Sequence, residues 1–291
     1  MNKPRTIILL LPVLAILISC STKSIIAPGS QLQKFAGGLK FTEGPVYDNN
    51  GHLYFSDLGA NIIYKSSSDG QLSVFRNNSN GSNGLDIDSH GNIVACEGMG
   101  RRLVSINQAG VITVLTDNYH GKHFNSPNDL WIDPKGGIYF TDPYYGPNPG
   151  SLEQGGQYVF YLSPDHKTVI KVIDNLQQPN GIVGTPDGKL LYVADYKGEE
   201  THVYTINGNG TLTHKALFAP KGSDGMELDN KGNLYLTKDN VKIYNSKGNL
   251  LETIKVPEIT TNVCFGGKDK STLYITARTS VYSINMRTHG N

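Results

Sequence analysis

From residue 43 onward, short apolar stretches alternate with polar turns in one recurring order. An acidic or amide residue opens a brief apolar run, a turn follows about five residues on, and an apolar-aromatic run completes the unit. The units read EGPVYDNNGHLYFSD from Glu43, NGLDIDSHGNIVACE from Asn83, NDLWIDPKGGIYFTD from Asn128, NGIVGTPDGKLLYVAD from Asn180, DGMELDNKGNLYLTKD from Asp224 and NVCFGGKDKSTLYITA from Asn262. Five of the turns run Asp48 to Gly51, Asp88 to Gly91, Asp133 to Gly136, Thr185 to Gly188 and Asp229 to Gly232. Asp or Thr at the first position can bond its own backbone, and Gly at the last tolerates positive φ, so each reads as a tight turn between strands. No window carries a convincing 3.6-residue amphipathic period, so the expected elements are strands throughout.

Successive units start 40, 45, 52, 44 and 38 residues apart. A β-meander repeated every 40 to 50 residues is the signature of a propeller blade. Six copies predict an all-β, six-bladed β-propeller over residues 31–291. Gln31 to Ala36, ahead of the first unit, would supply the outer strand that the short last unit lacks, which removes the open sheet edges of a linear array.

Composition narrows the functional classes. The 291 residues hold 26 Lys+Arg against 25 Asp+Glu, a formal charge of +1, so electrostatic adhesion to nucleic acid is not expected. Three cysteines cannot build a disulfide scaffold, and Cys96 and Cys264 fall inside apolar runs as buried thiols. There is no P-loop, dinucleotide fingerprint or GxSxG elbow. At the N-terminus, Lys3 and Arg5 precede an apolar stretch from Ile7 to Ile18, too short to span a bilayer and read as a signal peptide over residues 1–19. Its end, Leu17-Ile18-Ser19-Cys20, resembles the lipobox of bacterial lipoproteins. That resemblance implies a lipid-modified Cys20, a tether over residues 21–30, and a membrane-anchored place in the bacterial cell envelope, on its periplasmic or surface side.

A propeller's first strands line its channel, so the six unit starts meet at one mouth. That ring is Glu43, Asn83, Asn128, Asn180, Asp224 and Asn262, every one bearing a side-chain oxygen and none a cation. Such a set suits a hard divalent ion, Ca²⁺ or Mg²⁺, rather than Zn²⁺. Asn and Asp also open strands simply because they cap turns, but Glu43 fits that explanation poorly.

The segments EGP (Glu43 to Pro45), NSPND (Asn125 to Asp129), QPNG (Gln178 to Gly181), SDGM (Ser223 to Met226) and TNVCFGG (Thr261 to Gly267) together resemble the gluconolactonase/senescence-marker-protein family. The resemblance implies a six-bladed propeller that holds a divalent cation, commonly Ca²⁺, and hydrolyses a small lactone. By motif it places the metal ligands at Glu43, Asn128, Asn180 and Asp224. Asn83 and Asn262 then become groups behind the ligands or facing substrate. Relatives that process sugar lactones often carry a basic residue near the third blade's entrance, where this chain has His123 and Ser126; these two are candidate substrate contacts.

Within that reading the cation polarises a lactone carbonyl, and Asp224 is the candidate base for the attacking water, or else purely a ligand. The insertion that begins Asp142-Pro-Tyr-Tyr-Gly146 is expected either to line the mouth, with Tyr144 toward substrate, or to act as a spacer. Glu97 and Asp195 end second strands, where they either face the channel or cap turns. His120 and His123 read as a solvated loop pair. Two other functions fit the same fold: phosphotriester hydrolysis on the same metal site, and a non-catalytic propeller that binds a small ligand or a partner.

Overall fold

Each sequence unit forms one antiparallel sheet of four strands, and the six sheets stand around a common channel. The computed structural model describes residues 24–67, 69–146 and 152–291, and the expected signal peptide and Cys20 lie outside them. Blade 1 is built from Thr42–Tyr47, Leu53–Asp57, Ile62–Ser66 and Leu72–Asn77, in order from the channel outward. Blades 2 to 5 repeat this plan, with inner strands Ser82–Ile87, Leu130–Ile132, Pro179–Gly184 and Met226–Leu228. Blade 6 contributes Thr260–Gly266, Thr272–Ala277 and Ser280–Asn285, and its outer strand is Gln33–Gly37, paired antiparallel with Ser280–Asn285. The ring therefore closes as expected, by an N-terminal strand completing the last blade. Among the described residues there is no helix.

The apolar runs are continuous because both faces of every blade are covered. Leu53 and Phe55 point toward blade 6 and pack with Cys264 and Val281, while Tyr54 points the other way onto Leu85 and Ile93 of blade 2. The same alternation repeats around the ring, giving six apolar clusters, one between each pair of neighbouring blades. Cys96 and Cys264 are buried free thiols within two of these clusters. The turns form as read: Gly51, Gly91, Gly136, Gly188 and Gly232 each donate an N–H to the residue three positions earlier. Two second-strand tyrosines reach their own blade's turn with their hydroxyls, Tyr54 to Asp48 at 3.4 Å and Tyr235 to Asp229 at 3.2 Å.

One stretch departs from expectation. Residues 24–30, read as part of a tether, lie on the propeller. Ile25 and Ile26 pack against the cluster between blades 5 and 6, Ile26 pairs with Met286, and Glu252 accepts from Ser24 Oγ at 2.8 Å and from the Ile25 N–H at 2.8 Å. Two isoleucines in so short a segment are apolar surface that the groove partly buries, so the expected tether meets the propeller from Ser24 onward. This contact lies toward the lower rim, beside the end of Ser280–Asn285, away from the mouth where the inner strands begin.

Candidate functional site

The inner strands begin at the mouth with a repeated irregularity. Pairing of the first and second strands slips between Glu43 and Val46, between Ser82 and Leu85, and between Pro179 and Ile182. Such a bulge re-aims side chains, and here it falls at or just after the ring residue. In blades 3 and 5 the ladder starts only at Leu130 and Met226, leaving Asn128 and Asp224 just ahead of it. Glycine follows several ring residues because the neighbouring blade's backbone closes against it. A Cβ on Gly44, which also has φ near +47°, would sit 2.1 Å from the Asn83 carbonyl oxygen, and one on Gly181 would sit 2.2 Å from that of Asp224.

A second device fixes the loops that enter the mouth. The aspartate ending the second strand of blades 1, 3 and 4 accepts two successive backbone N–H groups from the segment ahead of its own inner strand. Asp57 holds Lys40 and Phe41, Asp142 holds Asn125 and Ser126, and Asp195 holds Gln177 and Gln178, all at 2.7–3.0 Å. Asp195 is thus a loop clamp. Glu97, at the equivalent place in blade 2, is buried between Arg76 and Arg102, each at 2.6 Å, and holds the Asn80 side chain at 3.1 Å.

These devices bring Glu43, Asn83, Asn128, Asn180 and Asp224 to one cavity of about 590 Å³ at the mouth. Ser126 and Tyr144, two of the candidate substrate contacts, line it too. Tyr145, from the insertion expected at the mouth, and Gln178, from the QPNG segment, also line it, and Phe41, Leu58, Met99, Tyr196 and Lys197 join them with no sequence signal. Met99 is 76% exposed at the cavity's edge. Asn180 Nδ2 donates to Asp224 Oδ1 at 2.8 Å and to the Tyr145 hydroxyl at 2.9 Å, and Asn128 Nδ2 donates to the same hydroxyl at 3.2 Å. Tyr145 is half exposed along its ring, yet its hydroxyl end reaches down among the amides.

One of the expected contacts lies elsewhere, and another stands behind the ligands. His123 is exposed in a small hairpin, Asn118–Tyr119 with Lys122–His123, its ring 3.2 Å from the Asp117 carbonyl. Arg101 and Glu153 bind its backbone, which keeps it outside the cavity wall. Asn262 stands one layer below the ligands and behind Glu43, one of its two expected roles: its side chain hydrogen-bonds the Glu43 carboxylate, and its Nδ2 lies 3.5 Å from Asp129 Oδ2. In blade 6 the pairing slips between Thr260 and Asn262, ahead of the ring position, so Asn262 rejoins the ladder opposite Thr276. Its oxygen accepts the N–H of the next residue at 2.8 Å, as do Asp86, Asp129 and Glu227 at 2.7–3.0 Å. Those four form a lower layer, facing a separate cavity of about 830 Å³ in the channel beneath the mouth.

The charges of the mouth are uncompensated. Burial pushes the Glu43 carboxyl well above its ordinary range, and the nearby Asp224 and Asp129 push it further. Burial likewise moves Asp224 up to about 7, with the Asn180 hydrogen bond and, less, the Lys238 and Arg278 charges offsetting only part of it. Those cations are committed elsewhere: Lys238 to Glu199 and the Tyr196 ring, Arg278 to the face of Phe41 at 5.4 Å. Burial also raises the Tyr145 phenol well above 10, so it is a neutral hydroxyl. Two carboxylates and two amide side chains, with no fixed cation among them and no His or Cys, are a donor set that fits Ca²⁺ or Mg²⁺.

Known proteins resemble this one along most of its length. The family model described as the SMP-30/gluconolactonase/LRE-like region matches residues 41–279. A gluconolactonase of Zymomonas mobilis is 32% identical, in a match covering 92% of this chain and 84% of that one. The solved structure of a Xanthomonas campestris gluconolactonase superposes with a TM-score of 0.84 at 28% identity, covering 90% of this chain and 91% of its own. A calcium-binding protein, regucalcin, from Agrobacterium tumefaciens has the same fold, with a TM-score of 0.75 at 20% identity over 87% of this chain and 92% of that one.

Proposed function

The chain belongs to the SMP-30/gluconolactonase/LRE-like family, and from that premise we infer that it is a lactone-hydrolysing enzyme working at the propeller mouth. The observation that carries this reading is the convergence of Glu43, Asn128, Asn180 and Asp224 on one cavity roomy enough for a small ring ester. In our reading these four hold a divalent cation, Ca²⁺ by analogy with the calcium-binding relative. Bound there, the cation would polarise the ester carbonyl and balance negative charge that builds on its oxygen. The protein's own side chains do the rest. In this reading Asp224 takes the proton of the attacking water, the alternative being that it serves purely as a ligand. The Phe41, Leu58, Met99 and Tyr196 surfaces exclude bulk water, while Asn83, Ser126 and Lys197 offer polar contacts to ring substituents.

The test is hydrolysis of a panel of aldonolactones, aromatic lactones and a phosphotriester, before and after chelation. Lactone turnover that chelator abolishes and Ca²⁺ restores is the expected result, and D224N should remain folded without it. Lactone turnover that survives exhaustive chelation would overturn the metal-dependent reading. Turnover of the phosphotriester alone would replace the lactone.

We also propose that Cys20 carries a lipid anchor, so the enzyme works on the cell envelope. Only Ser21, Thr22 and Lys23 separate Cys20 from Ser24, which is docked near the lower rim. Even fully extended at ~3.5 Å per residue, that link reaches about 14 Å. An anchor there would keep the lower rim near the bilayer and leave the mouth facing away from it.

A further inference from the structure

We propose that Tyr145 is a positioning residue of the mouth, orienting the side-chain amides of Asn128 and Asn180 so that their oxygens are free for a cation. The inference rests on the metal-binding reading above and adds to it a residue that reading does not contain. An asparagine amide turns easily about its last torsion, and its two ends, a donor and an acceptor, are similar in shape. Only its hydrogen-bond partners decide which end faces which way. Here a single phenol oxygen accepts an N–H from both amides, at 3.2 Å from Asn128 Nδ2 and 2.9 Å from Asn180 Nδ2. Asn180 spends its other N–H on Asp224 Oδ1 at 2.8 Å. Among the described residues, no donor binds Oδ1 of either asparagine. Both amides thus have their nitrogen side occupied and their oxygen side open, which is the state a cation ligand needs.

The remaining geometry supports the same role. Tyr145 comes from the insertion after Asp142, whose carboxylate clamps the Asn125 and Ser126 N–H groups at 2.8 and 2.7 Å, so one segment fixes both Tyr145 and the loop bearing Asn128. Its neighbour Tyr144 is tied by its N–H to Gln157 at 2.8 Å and by its carbonyl to Gln178 at 3.1 Å, which sets the backbone from which Tyr145 reaches inward. Gln178 itself lies two residues before Asn180. The hydroxyl is therefore held from both loops whose asparagines it joins.

The experiment is Ca²⁺ titration calorimetry on the wild type, Y145F and Y196F, with Tb³⁺ luminescence excited through tyrosine as a second readout. Y145F keeps the ring and removes only the acceptor, so its thermal unfolding in chelator should match the wild type. Its Ca²⁺ affinity should fall about tenfold, the equivalent of ~1.4 kcal/mol, while Y196F, also on the cavity wall, should bind normally. At saturating Ca²⁺ the lactone turnover of Y145F should return to within a few-fold of wild type. Equal Ca²⁺ affinity in Y145F and wild type overturns the inference and leaves the metal site standing. So does a turnover defect that saturating Ca²⁺ does not relieve, because Tyr145 would then act on the substrate directly. A wild type that binds neither Ca²⁺ nor Tb³⁺ overturns the metal reading itself.

Discussion

Glu227 offers the sharpest test of the electrostatics of the channel. It belongs to the lower layer, accepts the Leu228 N–H at 2.8 Å, and shares its cavity with Asp86 and Asp129. Burial pushes its carboxyl from an ordinary 4.5 up to about 8, the Leu228 bond offsets part of this, and the charges of Asp86 and Asp129 add to it; Lys270 pulls slightly the other way. The folded protein thus keeps this proton to about pH 8, whereas the unfolded chain releases it near pH ~4.3. Between those limits the folded state binds more protons, so stability falls as pH rises and levels off above pH 8. At ~1.4 kcal/mol per pH unit the ceiling for this one group is ~5 kcal/mol. Glu227 remains partly exposed to the channel, so water relaxes the cost to an expected ~2–3 kcal/mol. E227Q keeps the shape and the Leu228 contact but never ionises. Urea unfolding in chelator should give nearly equal stabilities for wild type and E227Q at pH 5 and an advantage of ~2–3 kcal/mol for E227Q at pH 9. Curves that stay parallel within ~0.5 kcal/mol across that range, or an E227Q less stable at pH 9, would refute the argument.

The loop clamps and the anchor make two further expectations. D142A orphans the buried Asn125 and Ser126 N–H groups, each worth ~1–3 kcal/mol when left unpaired. Burial already holds the Asp142 carboxyl at about 7, which takes some of that back; a loss of ~2–4 kcal/mol by urea unfolding is expected, and one below ~1 kcal/mol would show that the clamp is ornamental. For the anchor, C20A expressed in a bacterium that processes lipoproteins should move the protein from the membrane pellet to the soluble fraction; equal pelleting of both forms counts against lipidation at Cys20.

The sequence made the blades legible because a propeller repeats its local physics. The turn glycine makes the same backbone contact in five blades, and four of those turns open with aspartate, so spacing alone identified them. Equivalence by repeat also brought Glu43, Asn83, Asn128, Asn180 and Asp224 correctly to one mouth. It set Asn262 level with the other five, whereas the slip in blade 6 comes ahead of the ring position and leaves Asn262 one layer lower, behind Glu43; no residue type marks where a bulge will fall. His123 failed for a related reason: proximity to the NSPND motif in sequence says nothing about which side of the Asp142 clamp a residue lies on. Tyr145 stood beside the residue chosen from the insertion, and in an irregular loop the alternation that distinguishes neighbours on a strand does not apply. Docking of Ile25 and Ile26 was hidden by their Ser, Lys, Pro and Gly surroundings, which read as a linker. What these misses share is dependence on contacts between blades or between loops. The catalytic reading depends most on such contacts, because the four proposed ligands come from four different blades and Tyr145 joins two of them. The repeat fixes the strands and turns of each blade but not the loops that supply Tyr144, Tyr145 and Ser126 to the mouth, so those loops are the part of the site that the repeat leaves unconstrained.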